Sequence, residues 1–385
     1  MHVFFSVGEP SGDQHAAHLI AEMRRRDPSI HCSGFGGPLM EQAGFDSLFR
    51  LTDMAVMGVA EVLPMVPRFI AQYRRARQFL RTTRPDVCVL VDFPGFNWWV
   101  ASAAKEAGVE VVYYCPPQMW AWAGWRIRKM RRLVDRVLSV LPFEADWYND
   151  RGMPAEYVGH PFFDEVAERP LNREVCRRLE RSARRRLALL PGSRNQEVRR
   201  NFPMMLDVVA RLAAKHPDVR FPVACFKPSH REFCESVLAQ DGRQLPVDLC
   251  HGETSEIIAM ADCILMVSGS VSLEVLAREK PAVAMYRCSP SMFAMAHMLR
   301  QCDYMSLPNL MVKRHLMPEY ALVRNSDRNV SLIAADLDLW LSDPVARERT
   351  IREMRELAST AARRGGIDRA VDSLLRTNQV RAKAA

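Results

Sequence analysis

Residues 187–198 read LALLPGSRNQEV, and the reading of this stretch decides the fold. The apolar run to Leu190 has the length of a buried strand, Pro191-Gly192 breaks it, and a polar segment of helical composition follows. Ser193 with Gln196 three residues later fits a capping box, so a helix is expected to open at Ser193 with its first free N–H groups over the strand end. Such a helix start attracts phosphate, and Arg194 adds a planar donor that can hold one bidentately. Taken alone, the stretch also reads as an ordinary strand–turn–helix corner with a solvated arginine. The rest of the chain has to supply a reason for the phosphate.

Outward from this corner the same rhythm repeats. Strands are expected at 187–190, 219–225, 247–250, 263–267 and 282–286, with helix-length segments between them, and 326–374 is nearly all helical in pattern. On the other side, 159–186 is charged and proline-bearing and reads as a linker. Before it, strands at 3–7, 31–35, 87–91, 109–114 and 136–140 again alternate with helices. Continuous apolar strands in repeated strand–helix units imply parallel sheets covered on both faces. The expected class is α/β: two doubly wound, Rossmann-like domains facing across a cleft, 1–165 and 166–345. Helices in 346–385 are expected to pack back on the first domain.

The composition, 48% hydrophobic and 25% charged, is that of a globular protein. No uncharged apolar run reaches 18 residues, and the start MHVFFSVGEPSGD reads as a first strand and turn rather than a leader, so an intracellular place is expected. The ten cysteines form no Cys-x-x-Cys pair, which favours reduced core thiols over zinc ligands or disulfides. A formal net charge of +8, with arginines clustered in 68–84, 126–132 and 181–186, suits an anionic partner: nucleic acid, phospholipid headgroups or a phosphorylated substrate.

Four loops fall at expected strand ends, where an α/β site belongs. In Gly8-Glu9-Pro10-Ser11-Gly12-Asp13 the glycines permit tight backbone and Ser11 can cap the next helix. Asp92 follows the apolar run VCVLV directly, placed either as a general base with a raised pKa or as a helix cap. Ser268-Gly269-Ser270 lets backbone approach a ligand, with Glu274 one turn into the helix as an acceptor for ribose hydroxyls. Asn309, in Ser306-Leu307-Pro308-Asn309, can donate to a sugar or a phosphate. Two phosphate-suited helix starts, Ser193/Arg194 and Ser270, plus a ribose acid describe a nucleotide-diphosphate pocket. No P-loop is present and Gly34-Phe35-Gly36-Gly37 is an incomplete dinucleotide fingerprint, so kinase and NAD-enzyme readings fall behind. The one Asp-x-Asp, Asp336-Leu337-Asp338, sits in a helical pattern, which disfavours a metal-clamped sugar nucleotide.

Nine segments, in order along the chain, resemble the lipid-A-disaccharide synthase family: GEPSGD at 8–13, MAVMGVAEVL at 54–63, VDFPGFN at 91–97, PPQMWAWAGWR at 116–126, LPFE at 141–144, YVGHP at 157–161, LLPGSRNQEV at 189–198, SGSVSLE at 268–274 and SLPNL at 306–310. The resemblance implies an inverting, metal-independent glycosyltransferase of the two-Rossmann (GT-B) type that needs no cofactor. It would join UDP-2,3-diacylglucosamine to 2,3-diacylglucosamine 1-phosphate, releasing UDP, with the acceptor on the N-terminal domain and the UDP-sugar on the C-terminal one. It also implies that Asp92 is the base, that Ser193 and Arg194 lie near the leaving diphosphate, and that Glu274 meets the ribose. Asn309 becomes an essential cleft residue, and Glu9, Ser11, Gly12 and Asp13 an acceptor-side loop. Pro10, Gly95 and Pro117-Gln118 depart from the family pattern.

Acylated substrates imply a peripheral place on the cytoplasmic face of the inner membrane, and 62–70 and 291–300 mix apolar and cationic residues as interfacial segments do. A homodimer is left open. The competing readings are a UDP-sugar 2-epimerase or another lipid-sugar transferase of the same fold, and a basic RNA-binding protein, for which no RNP-type aromatic motif is present.

Overall fold

VCVLV at Val87–Val91 is buried at all five positions, as is CILMV at Cys263–Val267, and these two runs are central strands of two separate sheets. A computed structural model describes residues 1–54, 63–290, 293, 298, 302–323 and 326–384, with side chains to Arg376 other than that of Leu63. The chain forms two compact units, 1–164 with 364–385, and 165–363.

In the first unit β1 (His2–Val7), β2 (His31–Gly36), β3 (Asp46–Arg50), β4 (Val87–Val91), β5 (Glu110–Tyr114), β6 (Arg136–Ser139) and β7 (Ala155–Tyr157) form one sheet in the order 3-2-1-4-5-6-7. Every pairing is parallel, with Val7 beside Val91 at the carboxyl ends of β1 and β4. Phe4, Phe35, Phe69, Phe96, Trp98 and Tyr113 pack into one core against this sheet. The strand order reverses between β1 and β4. In open α/β sheets that switch point is where loops part and ligands bind.

The second unit repeats the plan. Its strands β8 (Arg185–Leu190), β9 (Val219–Cys225), β10 (Val247–His251), β11 (Cys263–Val267), β12 (Ala282–Arg287) and β13 (Glu319–Leu322) are parallel in the order 10-9-8-11-12-13. The switch point lies between β8 and β11, where Leu190 pairs with Met266. Leu187, Leu189, Phe202, Phe221 and Trp340 belong to its core.

The segment expected as a linker holds two helices, Pro161–Glu168 and Arg173–Ser182, the second capped by the Asn172 side chain. Its high charge hid an amphipathic helix whose buried face is little more than Leu179. The expected C-terminal group starting at 346 takes in one helix too many. Pro344–Ala361 buries Met354, Leu357 and Ala361, and its Arg347 pairs with Asp262, so it belongs to the second unit. Only the last helix, Gly366–Ala384, returns to the first. Asp164 accepts the N–H groups of Gly365 (2.6 Å) and Ile367 (2.9 Å), and Asp368 and Asp372 pair with Arg26 of the helix Pro10–Arg26. All ten cysteines are free thiols, most of them buried.

Candidate active site

At the first switch point the backbone turns sharply after Val91. Asp92 and Phe93 both take left-handed conformations, φ 45° and 47°, which cost energy in residues with a Cβ unless the surroundings hold them. The holding groups are visible. The Asp92 carbonyl accepts from both the Asn97 side-chain amide and the Tyr113 hydroxyl, each at 2.7 Å, and Ser6 Oγ in turn donates to Asn97 Oδ1 at 2.7 Å. Gly8, on the adjoining loop, leaves the space that the Phe93 ring fills; a Cβ there would lie 2.2 Å from the ring. The Asp92 carboxyl is mostly desolvated, and burial raises its pKa above the ordinary aspartate value, against the opposing pull of the Phe93 N–H and nearby His15. A partly buried carboxylate held at a strand terminus with a raised pKa has the properties of a general base.

The neighbouring GEPSGD loop is largely structural. Asp13 is buried, and its two oxygens accept the N–H groups of Leu39 and Met40, both at 3.1 Å, capping the short helix Pro38–Gln42. Gly12 lies against Val7 and Val91, Glu9 is the N-cap position of the helix Pro10–Arg26, and Ser11 is exposed. A residue without a role in the sequence reading, Glu144 of LPFE, is fully buried at the end of β6. It accepts from Trp120 Nε1 and Ser139 Oγ, both at 2.9 Å, tying the 116–126 loop to the sheet. Burial pushes its carboxyl up to about 7.

At the second switch point the loops after β8 and β11 stand side by side. The helix after β8 is Asn195–Lys215, its N-cap is Arg194, and Ser193 is an exposed turn residue, so the expected helix start at Ser193 is corrected by two residues. The Ser193–Gln196 capping box does not form. Glu197 reaches back instead, its Oε2 accepting the N–H groups of Ser193 (3.1 Å) and Arg194 (3.3 Å) and its Oε1 the Arg194 guanidinium (2.9 Å). After β11, nothing lies within 4 Å of the position a Cβ would take on Gly269, leaving the backbone open to approach, and Ser270 is the exposed N-cap of the helix Val271–Ala277. Ser268 Oγ donates to the Met305 carbonyl at 3.2 Å, and Glu319 on β13 accepts the N–H groups of Met305 (2.8 Å) and Ser306 (2.7 Å). The loop after β11 and the segment before the helix Leu307–Val312 are thus tied to each other and to β13.

Two residues near these loops are already engaged within the protein. Asn309 is fully buried: its Oδ1 accepts the N–H groups of Leu316 (2.7 Å) and Met317 (2.8 Å), and its Nδ2 donates to the Met317 carbonyl (2.8 Å). Its amide braces the segment after the helix Leu307–Val312. Glu274 is buried with Oε1 on Arg278 Nε at 3.0 Å. The Asp-x-Asp pair is engaged as well, Asp336 by the Tyr320 hydroxyl (2.5 Å) and Asp338 by Lys215 and His216.

Residues 3–364 match the family model for lipid-A-disaccharide synthetase. The lipid-A-disaccharide synthase of Anaeromyxobacter dehalogenans strain 2CP-1 is 35% identical over 373 residues, covering 97% of this chain and 96% of that protein. That of Pseudomonas putida strain KT2440 is 37% identical over 316 residues, covering 81% and 83%. The chain belongs to the lipid-A-disaccharide synthase family. As a member of that family it is a glycosyltransferase. Its fold is that of two-domain sugar-nucleotide enzymes: a UDP-GlcNAc 2-epimerase from Neisseria meningitidis, solved bound to UDP-GlcNAc, aligns at TM-score 0.64 and 13% identity over 97% of this chain and 99% of that one. The kitacinnamycin glycotransferase aligns at 0.64 and 16% over 98% of both. At these identities the likeness to the solved structures concerns fold alone. Of the family segments, 55–62 of MAVMGVAEVL lies outside the described residues, as does most of the 291–300 stretch.

Proposed function

We propose that this family member transfers a diacylglucosaminyl group from UDP-2,3-diacylglucosamine to the 6-hydroxyl of 2,3-diacylglucosamine 1-phosphate, with inversion. The observation that carries the reading is Asp92, a desolvated carboxylate fixed at the first unit's switch point by a strained turn. The acceptor oxygen attacks the anomeric carbon as the bond from that carbon to the UDP oxygen breaks, through an oxocarbenium-like transition state. The hydroxyl proton passes to the Asp92 carboxylate, and UDP leaves with the bonding pair.

In the second unit, Arg194 and the backbone around Gly269 and Ser270 are the groups that would meet the charge developing on the diphosphate, leaving a divalent cation without a required part. Glu274 would still face the ribose, steadied by Arg278. In the first unit the side chains around Asp92, with Glu9 and Ser11 at the loop mouth, would receive the acceptor.

The acyl chains of both substrates argue for a peripheral place on an anionic membrane surface. Trp122 and Trp125 in the 116–126 loop are 52% and 77% exposed, and Arg126 lies over the Trp122 ring at 5.4 Å. Aromatic rings beside arginines suit the interface between headgroups and acyl chains. None of the described helices is long and apolar enough to cross a membrane.

A product assay tests the reaction. UDP release that depends on the acceptor phosphate and yields a disaccharide 1-phosphate, unchanged by chelator, is the expected result. UDP-sugar epimerised without acceptor would replace this reading with the 2-epimerase one, and a chelator-sensitive rate would remove its metal independence.

A further inference from the structure

The diphosphate loop contains an acid that the reaction does not use. We propose that Glu197 is its positioning residue, holding the Ser193–Arg194 backbone and one edge of the Arg194 guanidinium so that the remaining edge faces the donor's diphosphate. This rests on the nucleotide-site reading above and adds a part to it.

Three observations combine. The Glu197 carboxylate uses both oxygens on the loop, one on the two N–H groups of Ser193 and Arg194 and one on the guanidinium. The loop closes over it: Gly192 has φ 120°, and a Cβ at that position would lie 2.6 Å from Glu197 Cβ and 2.7 Å from Oε2. The exposures differ in the direction the proposal needs, with the Arg194 side chain 61% exposed and that of Glu197 only 12%. A ligand arriving from solvent therefore meets the arginine, while the acid stays beneath the backbone. Only Nη1 of Arg194 is bonded to Glu197, and a guanidinium carries five donors in a fixed fork, so one bond sets its plane and leaves further donors for phosphate oxygens.

The sign of the effect decides between this role and its rival. If Glu197 were a resident anion competing with diphosphate, or merely offset the charge of Arg194, removing its charge would strengthen diphosphate binding. If it preorganises the arginine, removing its charge frees a long side chain that must be ordered again on binding, and affinity falls. Glu197→Gln keeps the shape and an acceptor oxygen for the loop N–H groups, so the helix start remains capped.

The experiment titrates full-length wild type, Glu197→Gln, Arg194→Ala and the double variant with UDP and with uridine, each checked by thermal melting. The expected result is that Glu197→Gln weakens UDP about tenfold, leaves uridine unchanged, and adds nothing in the Arg194→Ala background. UDP bound by Glu197→Gln as tightly as by wild type, or more tightly, overturns the proposal while an Arg194→Ala effect leaves the nucleotide site standing. An equal loss of uridine, or a Glu197→Gln protein that melts well below wild type, overturns it in favour of a cap alone. UDP binding that is absent, or indifferent to Arg194→Ala, sinks the nucleotide-site reading and this inference together.

Discussion

At the scale of single residues, polar side chains in the two sheet edges divide by what already holds them. The Asp92 carbonyl is tied by two donors while its carboxyl carries the desolvation, so Asp92→Asn is expected to retain UDP affinity and lower kcat on the order of a hundredfold or more. Steady-state kinetics beside UDP titration check this, and near-normal turnover would remove Asp92 as base. Because burial raises the Asp92 pKa, the base is lost by protonation as pH falls through that raised value. The acid limb of the kcat/KM profile is therefore expected above the ordinary aspartate range near 3.8. Asn309 is the opposite case. Asn309→Ala leaves three buried backbone groups without their partner, which costs roughly 2–4 kcal/mol and lowers the melting temperature by roughly 5–10 °C. An unchanged melt with lost activity would return Asn309 to the substrate. The place of Asp92 at a strand end was legible because it directly follows a continuous apolar run. The backbone partners of Asp13 and Asn309 were not, because folding brings them close and nothing local in either loop marks them.

Elements were legible where burial is two-sided. The strands 87–91, 219–225 and 263–267 coincide with their expected ranges, since central parallel strands are continuous apolar runs. The unexpected strands, β3, β7 and β13, all lie at sheet edges, where short, half-exposed sequences such as DSLFR, AEY and EYAL carry no such run. The misplaced helix start after β8 has a related cause: arginine is not a capping residue, and the cap came from Glu197 at the third helical position. Glu144 joins two elements and makes its own prediction. Its carboxyl, pushed up to about 7 by burial, binds its proton more tightly folded than unfolded, so stability is highest below the unfolded value near 4.5 and falls as pH rises toward 7. Urea unfolding between pH 5 and 8 is expected to show a loss of at most about 3 kcal/mol, largely absent in Glu144→Gln. Parallel pH curves for the two proteins would mean that another group carries the dependence.

At the scale of the whole molecule the two-domain plan was legible from the alternation of elements, and so was a C-terminal return to the first unit, though only the last helix makes it and not the one before it. That return depends on Asp164 and Arg26 meeting residues from 365 to 372, contacts between positions 201 to 346 residues apart in sequence. Net charge acts at this scale too. On the proposed peripheral placement a surplus of +8 would draw the chain toward anionic lipid, but a long-range field neither orients it nor buries anything, and orientation needs apolar groups at one place. On the proposed membrane placement, the exposed Trp122 and Trp125, with Arg126 over the Trp122 ring, would supply such a place in the first unit. The two contributions separate experimentally. Cosedimentation of wild type with vesicles containing anionic phospholipid should weaken as salt rises, because screening removes the charge term. Trp122→Ser with Trp125→Ser should lower partitioning by about three- to tenfold at every salt concentration, because the apolar term is not screened. A double variant that binds like wild type at high salt would move the membrane contact away from the 116–126 loop, and binding indifferent to salt would remove the charge from the account.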